Sequence, residues 1–389
     1  MGIAKDDGIL CAERGYGHCD KKVCRDCVGN RQLKELIKNK GYMGRCDYCG
    51  QRRKVVELEA LFELIISGIK FSYESADDYL FEGKYLVETY DRYDVAHDIA
   101  DEAEIENQDL IDDIVNTLAD ETWCKKDAFY ESDHERYLIS WHEFCELVKW
   151  KMRYVFFRSR EEEFEFDEIS PAGILDMVGM FVEELGLVRQ KPERTQLFRG
   201  RTHYENEALN EAKQFGPPPV EYAAANRMSP EGIPMFYATF EAETALDEIN
   251  DSKPCATVAR FLTSRALTVV DLSVLKRKKL PSIFDEKNRD LRQALIFLKR
   301  FAEEISMKTE GKPAIDYVPT QIVTEYFRHV FRYGDNKAID GIIYSSAARE
   351  GGHCAVLFMD GKDFENSAKC MVNKEHMSLK LYKKNYVES

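Results

Sequence analysis

Four cysteines in the first fifty residues have the residue type and the spacing of a metal site. Cys24 and Cys27 form one C-x-x-C pair, and Cys46 and Cys49 form a second pair eighteen residues later. Each pair makes a tight turn that presents two thiolates, and four thiolates close a tetrahedron around Zn²⁺. Because four protein ligands leave no open position for a substrate, the predicted zinc is structural. Scattered free thiols are the alternative, which the paired spacing disfavours.

Three further residues near the cysteine pairs are candidate ligands of a second site. Cys11, His18 and Cys19 are close together in the sequence, but their spacing is irregular. We expect Cys11 and Cys19 to be free thiols, and the spacing leaves open whether this group binds a metal.

A second stretch with chemical potential covers residues 226–249. A turn-forming Ser-Pro-Glu-Gly is followed by a short apolar run that ends in an aromatic residue, and then by a helical pattern. Arg227, Tyr237 and Glu248 therefore fall on a loop, a strand and a helix in succession. Taken singly, they are typical of a solvated loop charge, a core aromatic residue and one more charge on an exposed helix face.

The joint spacing of these three residues resembles the RES family, which is named for its arginine, glutamate and serine. In that family an arginine, a tyrosine ten residues on and a glutamate eleven beyond it line a pocket for NAD. Ser346, at the end of the run that begins at Tyr344, stands in the position of the family serine. The resemblance covers about residues 197–360 in consistent order. It implies a mixed α/β domain that resembles ADP-ribosyltransferase folds.

The resemblance also implies a reaction, the cleavage of the nicotinamide–ribose bond of NAD⁺. That cleavage leaves an oxocarbenium-like sugar, as in glycoside hydrolysis. Arg227 suits the diphosphate because its planar fork pairs with phosphate oxygens. Tyr237 offers a ring face to the cationic nicotinamide, and Glu248 can bind the ribose hydroxyls and stabilise the developing cation.

Other positions in the same region have weaker assignments. Ser346 is expected to donate or accept near the nicotinamide or its ribose. Arg199 and Arg201 are secondary phosphate-binding candidates, of which Arg201 is the weaker. Asn226 stands where the family commonly has glycine, and Cys354 stands where many members have asparagine. The second departure leaves open whether that side chain helps to hold the nucleotide.

The function that this resemblance favours is NAD⁺ consumption, by hydrolysis or phosphorolysis, in a toxin or antiphage-type effector. Transfer of ADP-ribose to a protein is the alternative within enzymes. A degenerate domain acting as a zinc-containing interaction module is an alternative of another class, which the intact Arg-Tyr-Glu-Ser set disfavours. A separate antitoxin or regulatory protein is the expected partner. The attacking acceptor and the oligomeric state stay open.

Residues 55–190 have a mostly helical pattern. Apolar residues from 138 to 152 recur at helical spacing, and Ser170-Pro171 predicts the start of another helix. Together with the cysteine pairs, this region is similar to the HEPN/RES N-terminal domain. HEPN domains can be ribonucleases through an arginine followed at a loose spacing by a histidine. Arg136 and His142 fit that spacing, which arises easily by chance in a charged helix, so their role stays open.

The sequence therefore predicts an α+β protein of three parts. A zinc-binding segment covers 1–54, an all-helical HEPN-like domain covers 55–190, and the RES domain that binds NAD covers 195–389. The charged, proline-containing run 191–195 is the expected linker.

Composition limits the remaining classes. The formal net charge of −15 disfavours an extended nucleic-acid surface, which needs clustered Lys and Arg. No run approaches 18 apolar residues, so no membrane span is expected. The N-terminal residues lack a secretory pattern, and the paired cysteines fit a reducing compartment, so the cytoplasm is the predicted location.

Overall fold

A computed structural model describes residues 14–126, 132–158, 169–249, 253–307 and 313–383. By its contacts the chain divides into two compact units. Unit 1 contains residues up to Ser132 together with Lys279–Gln293, and unit 2 contains Asp133–Lys278 and the residues from Ala294 onward.

In its described residues, unit 1 combines a three-stranded sheet and two short two-stranded sheets with the four helices given below. Its strands are β1 (Lys22–Cys24), β2 (Tyr42–Arg45), β3 (Arg52–Glu57), β4 (Tyr73–Ser75), β5 (Leu80–Phe81), β6 (Lys84–Tyr85) and β7 (Trp123–Lys125). Its helices are α1 (Arg31–Lys40), α2 (Glu59–Ser72), α3 (Arg92–Glu102) and α4 (Gln108–Thr117). β1, β3 and β2 form an antiparallel sheet, and the apolar faces of the helices share one core, which includes Leu33, Phe62, Ile99 and Ile114.

The region after residue 55 is mainly helical, as predicted, but it is not all-helical. β4 pairs with β7, and β5 pairs with β6, so two short two-stranded sheets lie within it. Val55 and Val56, predicted to begin a helix, belong to β3, where Val55 pairs with Cys24. β-branched residues fit a pleated, half-buried surface. The helix begins at Glu59, two residues after the end of β3.

Unit 2 is built on an eight-stranded mixed sheet in the order β15-β11-β9-β10-β14-β13-β12-β8. The strands are β8 (Val188–Lys191), β9 (Gln196–His203), β10 (Phe236–Thr239), β11 (Cys255–Thr263), β12 (Leu267–Asp271), β13 (Gly341–Ser345), β14 (His353–Leu357) and β15 (Val372–Lys383). The helices are α5 (Asp133–Glu146), α6 (Pro171–Glu184), α7 (Ala242–Asp247), α8 (Leu291–Ser306), α9 (Val318–Glu325) and α10 (Gly361–Glu365). β12 and β13 are parallel, and the other described neighbours are antiparallel.

Strands β9 and β10 diverge in the middle of this sheet. β9 pairs with β11 over eight residues, and β10 pairs with β14 over four. Between β9 and β10 themselves, the described ladder consists of the single pair Phe198–Thr239. Beyond that pair the two halves of the sheet separate, and the gap between them is the place where a ligand can enter.

Helices α5 and α6 pack within unit 2. Tyr137 and Trp141 of α5 contact Phe297 and Phe301 of α8, with ring centroids 5.8 and 4.9 Å apart. Helix α6 begins as predicted, because the Ser170 side chain accepts a hydrogen bond from the Gly173 N–H. The apolar residues at helical spacing run from 138 to 152, whereas α5 ends as an α-helix at Glu146 and continues as one π-helical turn at Leu147–Lys151.

The two compact units divide the chain differently from the predicted domains. The predicted linker, 191–195, connects β8 to β9, which are strands of the same sheet. Aromatic packing accounts for the placement of α5, because its apolar face meets α8 rather than the core of unit 1.

Candidate active site and cysteine cluster

The four predicted zinc ligands lie together in unit 1. The Sγ atoms of Cys24, Cys27, Cys46 and Cys49 all lie within 4.8 Å of one another. Three of the Sγ–Sγ distances are 3.6, 3.7 and 3.7 Å. A tetrahedron with Zn–S bonds of about 2.3 Å has edges of about 3.8 Å, so the thiols are already spaced as metal ligands. Cys24 and Cys46 are buried, which leaves the cluster closed on one side.

The neighbouring candidates do not join this cluster. His18 Nδ1 lies 2.5 Å from Glu59 Oε2, so the imidazole pairs with a carboxylate of helix α2. Cys19 is half-buried and is outside the one cluster of potential ligands found in the described part of the chain. Cys11 lies outside the described residues. A second metal site therefore has no support in the arrangement of His18 and Cys19.

The candidate NAD-binding residues meet in unit 2. A cleft of about 850 Å³ opens where β9 and β10 diverge. Five of the six predicted residues line it, and they are Arg199, Arg201, Arg227, Tyr237 and Glu248. Ser346, the sixth, lies directly behind Glu248 and bonds to it. The cleft volume is in the range of small-molecule binding pockets.

Arg227 and Tyr237 are fixed to each other through the loop that precedes β10. The Tyr237 hydroxyl lies 2.9 Å from Ser229 Oγ and accepts a hydrogen bond from the Met228 N–H at 3.2 Å. Burial raises the pKa of Tyr237 to about 12, so the phenol is neutral at neutral pH. The Arg227 guanidinium donates to the carbonyl oxygens of Ser306 and Met307, at 2.9 and 2.7 Å. The Tyr237 ring and the Arg227 guanidinium are thereby both held at the cleft wall.

Glu248, which directly follows α7, is oriented from behind. Its Oε1 atom accepts hydrogen bonds from Ser346 Oγ at 2.5 Å and from Cys354 Sγ at 3.3 Å. Burial, and then the nearby Glu248 carboxylate, raise the pKa of the Cys354 thiol, which keeps that donor protonated. Within the described ranges no hydrogen bond falls on Oε2, so this oxygen is available to a ligand.

The Ser346 hydroxyl is used within the protein. It donates to Glu248 and accepts from the backbone N–H groups of Ala348 and Arg349, at 3.1 and 3.0 Å. A hydroxyl has one donor and two acceptor positions, and all three are occupied here. The geometry therefore favours a role in positioning Glu248, and the predicted direct contact with nicotinamide or ribose stays a prediction.

Helix α7 is attached at its start as well. Glu241 accepts hydrogen bonds from the His353 N–H and from the Thr244 hydroxyl, and its Oε1 lies 2.9 Å from the His353 ring. Burial opposes ionisation of Glu241, but these hydrogen bonds outweigh it and lower the pKa of the carboxyl. The carboxylate is therefore a stable link between α7 and the first residue of β14.

Two glycines allow α7 to lie this close to the sheet. A Cβ atom at Gly200 would meet the Ala245 carbonyl oxygen at 2.8 Å, and one at Gly352 would meet Thr244 Oγ1 at 2.6 Å. Both distances are shorter than real Cβ contacts, so larger residues there would push α7 away. Gly200 lies between Arg199 and Arg201 on β9. The strand that carries both arginines is therefore in close contact with α7, the helix that precedes Glu248.

Arg199 and Arg201 project from the same face of β9. The Arg199 guanidinium donates to the Tyr237 carbonyl oxygen at 3.0 Å, and Arg201 donates to the Gly216 carbonyl oxygen at 3.3 Å. Burial, and then the neighbouring Arg201, hold the pKa of Arg199 well below its usual range, and burial lowers that of Arg201. Neither pairs with a carboxylate within the described ranges. Two desolvated cations of this kind favour an anionic ligand.

Several residues of the cleft could not be assigned from the sequence. Thr239 belongs to no motif, and Ser229 and Tyr344 lie in motifs that assigned them no contact in the cleft. The link between Glu241 and His353 joins residues 112 positions apart. Tyr344 lies on β13 beside Cys354 and is buried, with its ring centroid 6.0 Å from Arg227 Cζ. The one available signal was that Ser229 lies within the turn that follows Arg227.

The two ribonuclease candidates lie on the same helix. His142 Nε2 lies 2.9 Å from Glu304 Oε1, whereas Arg136 lies six residues earlier on α5 with its Nη1 3.6 Å from Asp133 Oδ1. Six helical residues correspond to about 9 Å along the axis, as the spacing in the sequence already implies. A role for Arg136 and His142 in RNA cleavage stays a prediction.

Fold and cleft together define a mixed α+β domain with a ligand-sized site lined by arginines, a tyrosine and a glutamate. Comparison with known families bears on this domain. Residues 194–380 match the RES domain, and residues 39–162 match HEPN/RES N-terminal domain 1. These two matches confirm the resemblances that the sequence indicated. RES domains are associated with NAD-related toxin or effector activity.

Neither a curated protein nor a solved structure matches the chain. The expected likeness to ADP-ribosyltransferase folds therefore stays a prediction. In the described part of the chain, no helix has both the length and the apolar character that crossing a membrane requires.

Proposed function

We propose that the protein consumes NAD⁺ by cleaving its nicotinamide–ribose bond, with water or inorganic phosphate as the acceptor, and acts as a toxin or antiphage-type effector. The observation that best supports this is the content of one cleft. Desolvated arginines and the Glu248 carboxylate line the same space as the Tyr237 ring. Such a site suits a ligand with an anionic diphosphate, a cationic ring and a sugar between them.

Each group has a task in the proposed reaction. Arg199, Arg201 and Arg227 hold the diphosphate, whose charge compensates the lost hydration of Arg199 and Arg201. The electrons of the broken bond leave with nicotinamide, which becomes neutral and therefore departs without a general acid. The ribose becomes cationic, and in the proposed reaction Glu248 stabilises that charge through Oε2 while Ser346 and Cys354 hold Oε1.

Purified wild-type protein is therefore expected to release nicotinamide from NAD⁺. Incubation with and without inorganic phosphate, followed by product analysis, identifies the acceptor. ADP-ribose in both reactions indicates hydrolysis, and ADP-ribose phosphorylated at the freed sugar carbon indicates phosphorolysis. Radiolabel on an added protein would indicate ADP-ribosyl transfer instead. Arg136→Ala serves as the control and is expected to leave the rate unchanged.

One result would overturn this assignment. If NAD⁺ stayed intact while added RNA was cut, and Arg136→Ala abolished the cutting, the activity would belong to the helical region. The proposed function would then be wrong, whatever the cleft contains.

We also propose that the cysteine cluster binds one structural Zn²⁺. The support is the Sγ spacing together with the chemistry of the donors, since four thiolates suit Zn²⁺. When bound, the ion would crosslink the turn after β1 to the turn between β2 and β3, and would contribute to folding.

Metal analysis of the purified protein should find about one zinc per chain. Cys46→Ser should reduce the zinc content below about half an equivalent and lower the Tm, because metal-binding energy at such sites is largely folding energy. Cys19→Ser is a matched control in the same unit, because Cys19 lies outside the cluster. Well-folded protein without zinc would contradict the proposal.

A further inference from the structure

The helix that carries His142, α5, binds both oxygens of one carboxylate on α8. Trp141 Nε1 donates to Glu304 Oε2 at 2.9 Å, and His142 Nε2 lies 2.9 Å from Glu304 Oε1. Two adjacent residues of α5 therefore hold both oxygens of one side chain on α8. The Trp141 ring also packs edge-on against Phe301, one turn earlier on α8. The last two turns of α8 are thus fixed by α5.

The end of α8 is also where the Arg227 side chain is bound. Arg227 Nη1 and Nη2 donate to the carbonyl oxygens of Ser306 and Met307. The last carbonyls of a helix have no partner within the helix, and that end carries partial negative charge. A guanidinium fork satisfies two of these carbonyls together. The position of the last turn therefore sets the position of the guanidinium.

A different helix holds the backbone of the Arg227 loop. Thr320 of α9 donates to the Arg227 carbonyl oxygen, and Gln321 Nε2 donates to the Asn226 carbonyl oxygen at 2.9 Å. The loop backbone and the Arg227 side chain thus have separate supports. A change at the end of α8 should alter the guanidinium and leave the loop in place.

We propose that Glu304, held by Trp141 and His142, is a positioning residue for Arg227. The chain of contacts runs from α5 through the last turn of α8 to the cation at the cleft wall. Helix α5 lies in the segment that matches the HEPN/RES N-terminal domain, so that segment contributes to the RES site. The inference rests on the proposed function insofar as Arg227 binds the NAD⁺ diphosphate.

Steady-state kinetics with NAD⁺ test this role. Glu304→Ala should raise KM about 3- to 20-fold and leave kcat within about twofold, because the lost support acts on substrate binding. Glu304→Gln should restore a KM near that of wild type, since the amide can accept from Trp141 Nε1 and donate to His142 Nε2. Glu303→Ala is the matched control, because Glu303 is the exposed neighbour on the same helix.

A double-mutant cycle separates positioning from general damage. In the Arg227→Ala background, Glu304→Ala should have no further effect on KM, because the group that it positions is gone. A fall in kcat at constant KM, or the same KM factor in both backgrounds, would overturn the inference. His142→Ala is a second variant in case Glu304→Ala folds poorly, because the His142 side chain is 59% exposed. Its KM should also rise, and an unchanged KM would count against the role of His142.

Hydrogen exchange tests the same coupling without NAD⁺. Amide exchange in residues 300–307 should be faster in Glu304→Ala and in Arg227→Ala than in the wild type. Exchange in the double variant should be no faster than in the single variants. Unchanged exchange in the single variants would overturn the inference even if the wild type consumes NAD⁺. Conversely, coupled exchange in a protein that leaves NAD⁺ intact would contradict the proposed function and support the coupling between Glu304 and Arg227.

Discussion

Glu248→Gln should lower the kcat for NAD⁺ cleavage by roughly 10²-fold or more, with KM changed only a few-fold. The ribose becomes cationic only as the bond breaks, so the Glu248 charge acts mainly on the transition state. Glutamine keeps the shape, and its amide oxygen can still accept from Ser346 and Cys354, which bond Oε1 in the wild type. The change therefore removes the charge and little else. Steady-state kinetics with NAD⁺ measure both constants.

Glu243→Gln is the matched control for this variant. It makes the same chemical change on α7, which directly precedes Glu248, at an exposed position that does not line the cleft. We expect its kcat to equal that of wild type. An unchanged kcat in Glu248→Gln, with the fold intact by circular dichroism, would remove Glu248 from the mechanism and leave its match to the family glutamate without function.

Arg227→Ala should change mainly KM rather than kcat. The diphosphate is charged before and after the bond breaks, so binding it lowers KM without raising kcat. Loss of a charged hydrogen bond costs about 1.5–3 kcal/mol, which corresponds to a KM higher by about 10- to 150-fold. Arg227→Lys should be intermediate, because it keeps the charge and loses the planar fork that matches phosphate oxygens.

Two measurements make this expectation specific. Arg260→Ala removes an arginine of β11 that bonds Ser378 and does not line the cleft, so its KM should equal that of wild type. The Tm of Arg227→Ala should be measured as well, because Arg227 also binds the last carbonyls of α8. A large fall in kcat with an unchanged KM would show that Arg227 does not act as a diphosphate ligand.

Local signals in the sequence predicted local features correctly. The C-x-x-C spacing is a property of two short turns, and the four thiols do lie together. The start of α6 was predicted from Ser170 and Pro171, which act within one helical turn. The order of loop, strand and helix around Arg227, Tyr237 and Glu248 is likewise set by neighbouring residues, and the structure has these elements in that order.

Features that depend on distant residues could not be predicted. The divergence of β9 from β10 is a matter of strand register, which no single segment encodes. The bond from Ser346 to Glu248 spans 98 positions, and the bond from His142 to Glu304 spans 162. The apolar spacing stays regular through Leu147–Lys151, where the structure has a π-helical turn. Periodicity alone therefore does not show where the α-helix ends. Tertiary packing decided each of these cases.

Helix α7 has a consequence for how activity depends on local stability. It has six residues, and an isolated helix below about 12 residues is marginal in water. Its helical state is therefore sustained by the Glu241–His353 link at one end and the Glu248–Ser346 link at the other. Such segments open with a smaller free energy than the core of the sheet. If the protein consumes NAD⁺ as proposed, we expect the fraction of molecules able to react to follow a local opening equilibrium of α7, which heat or denaturant shifts before the eight-stranded sheet unfolds.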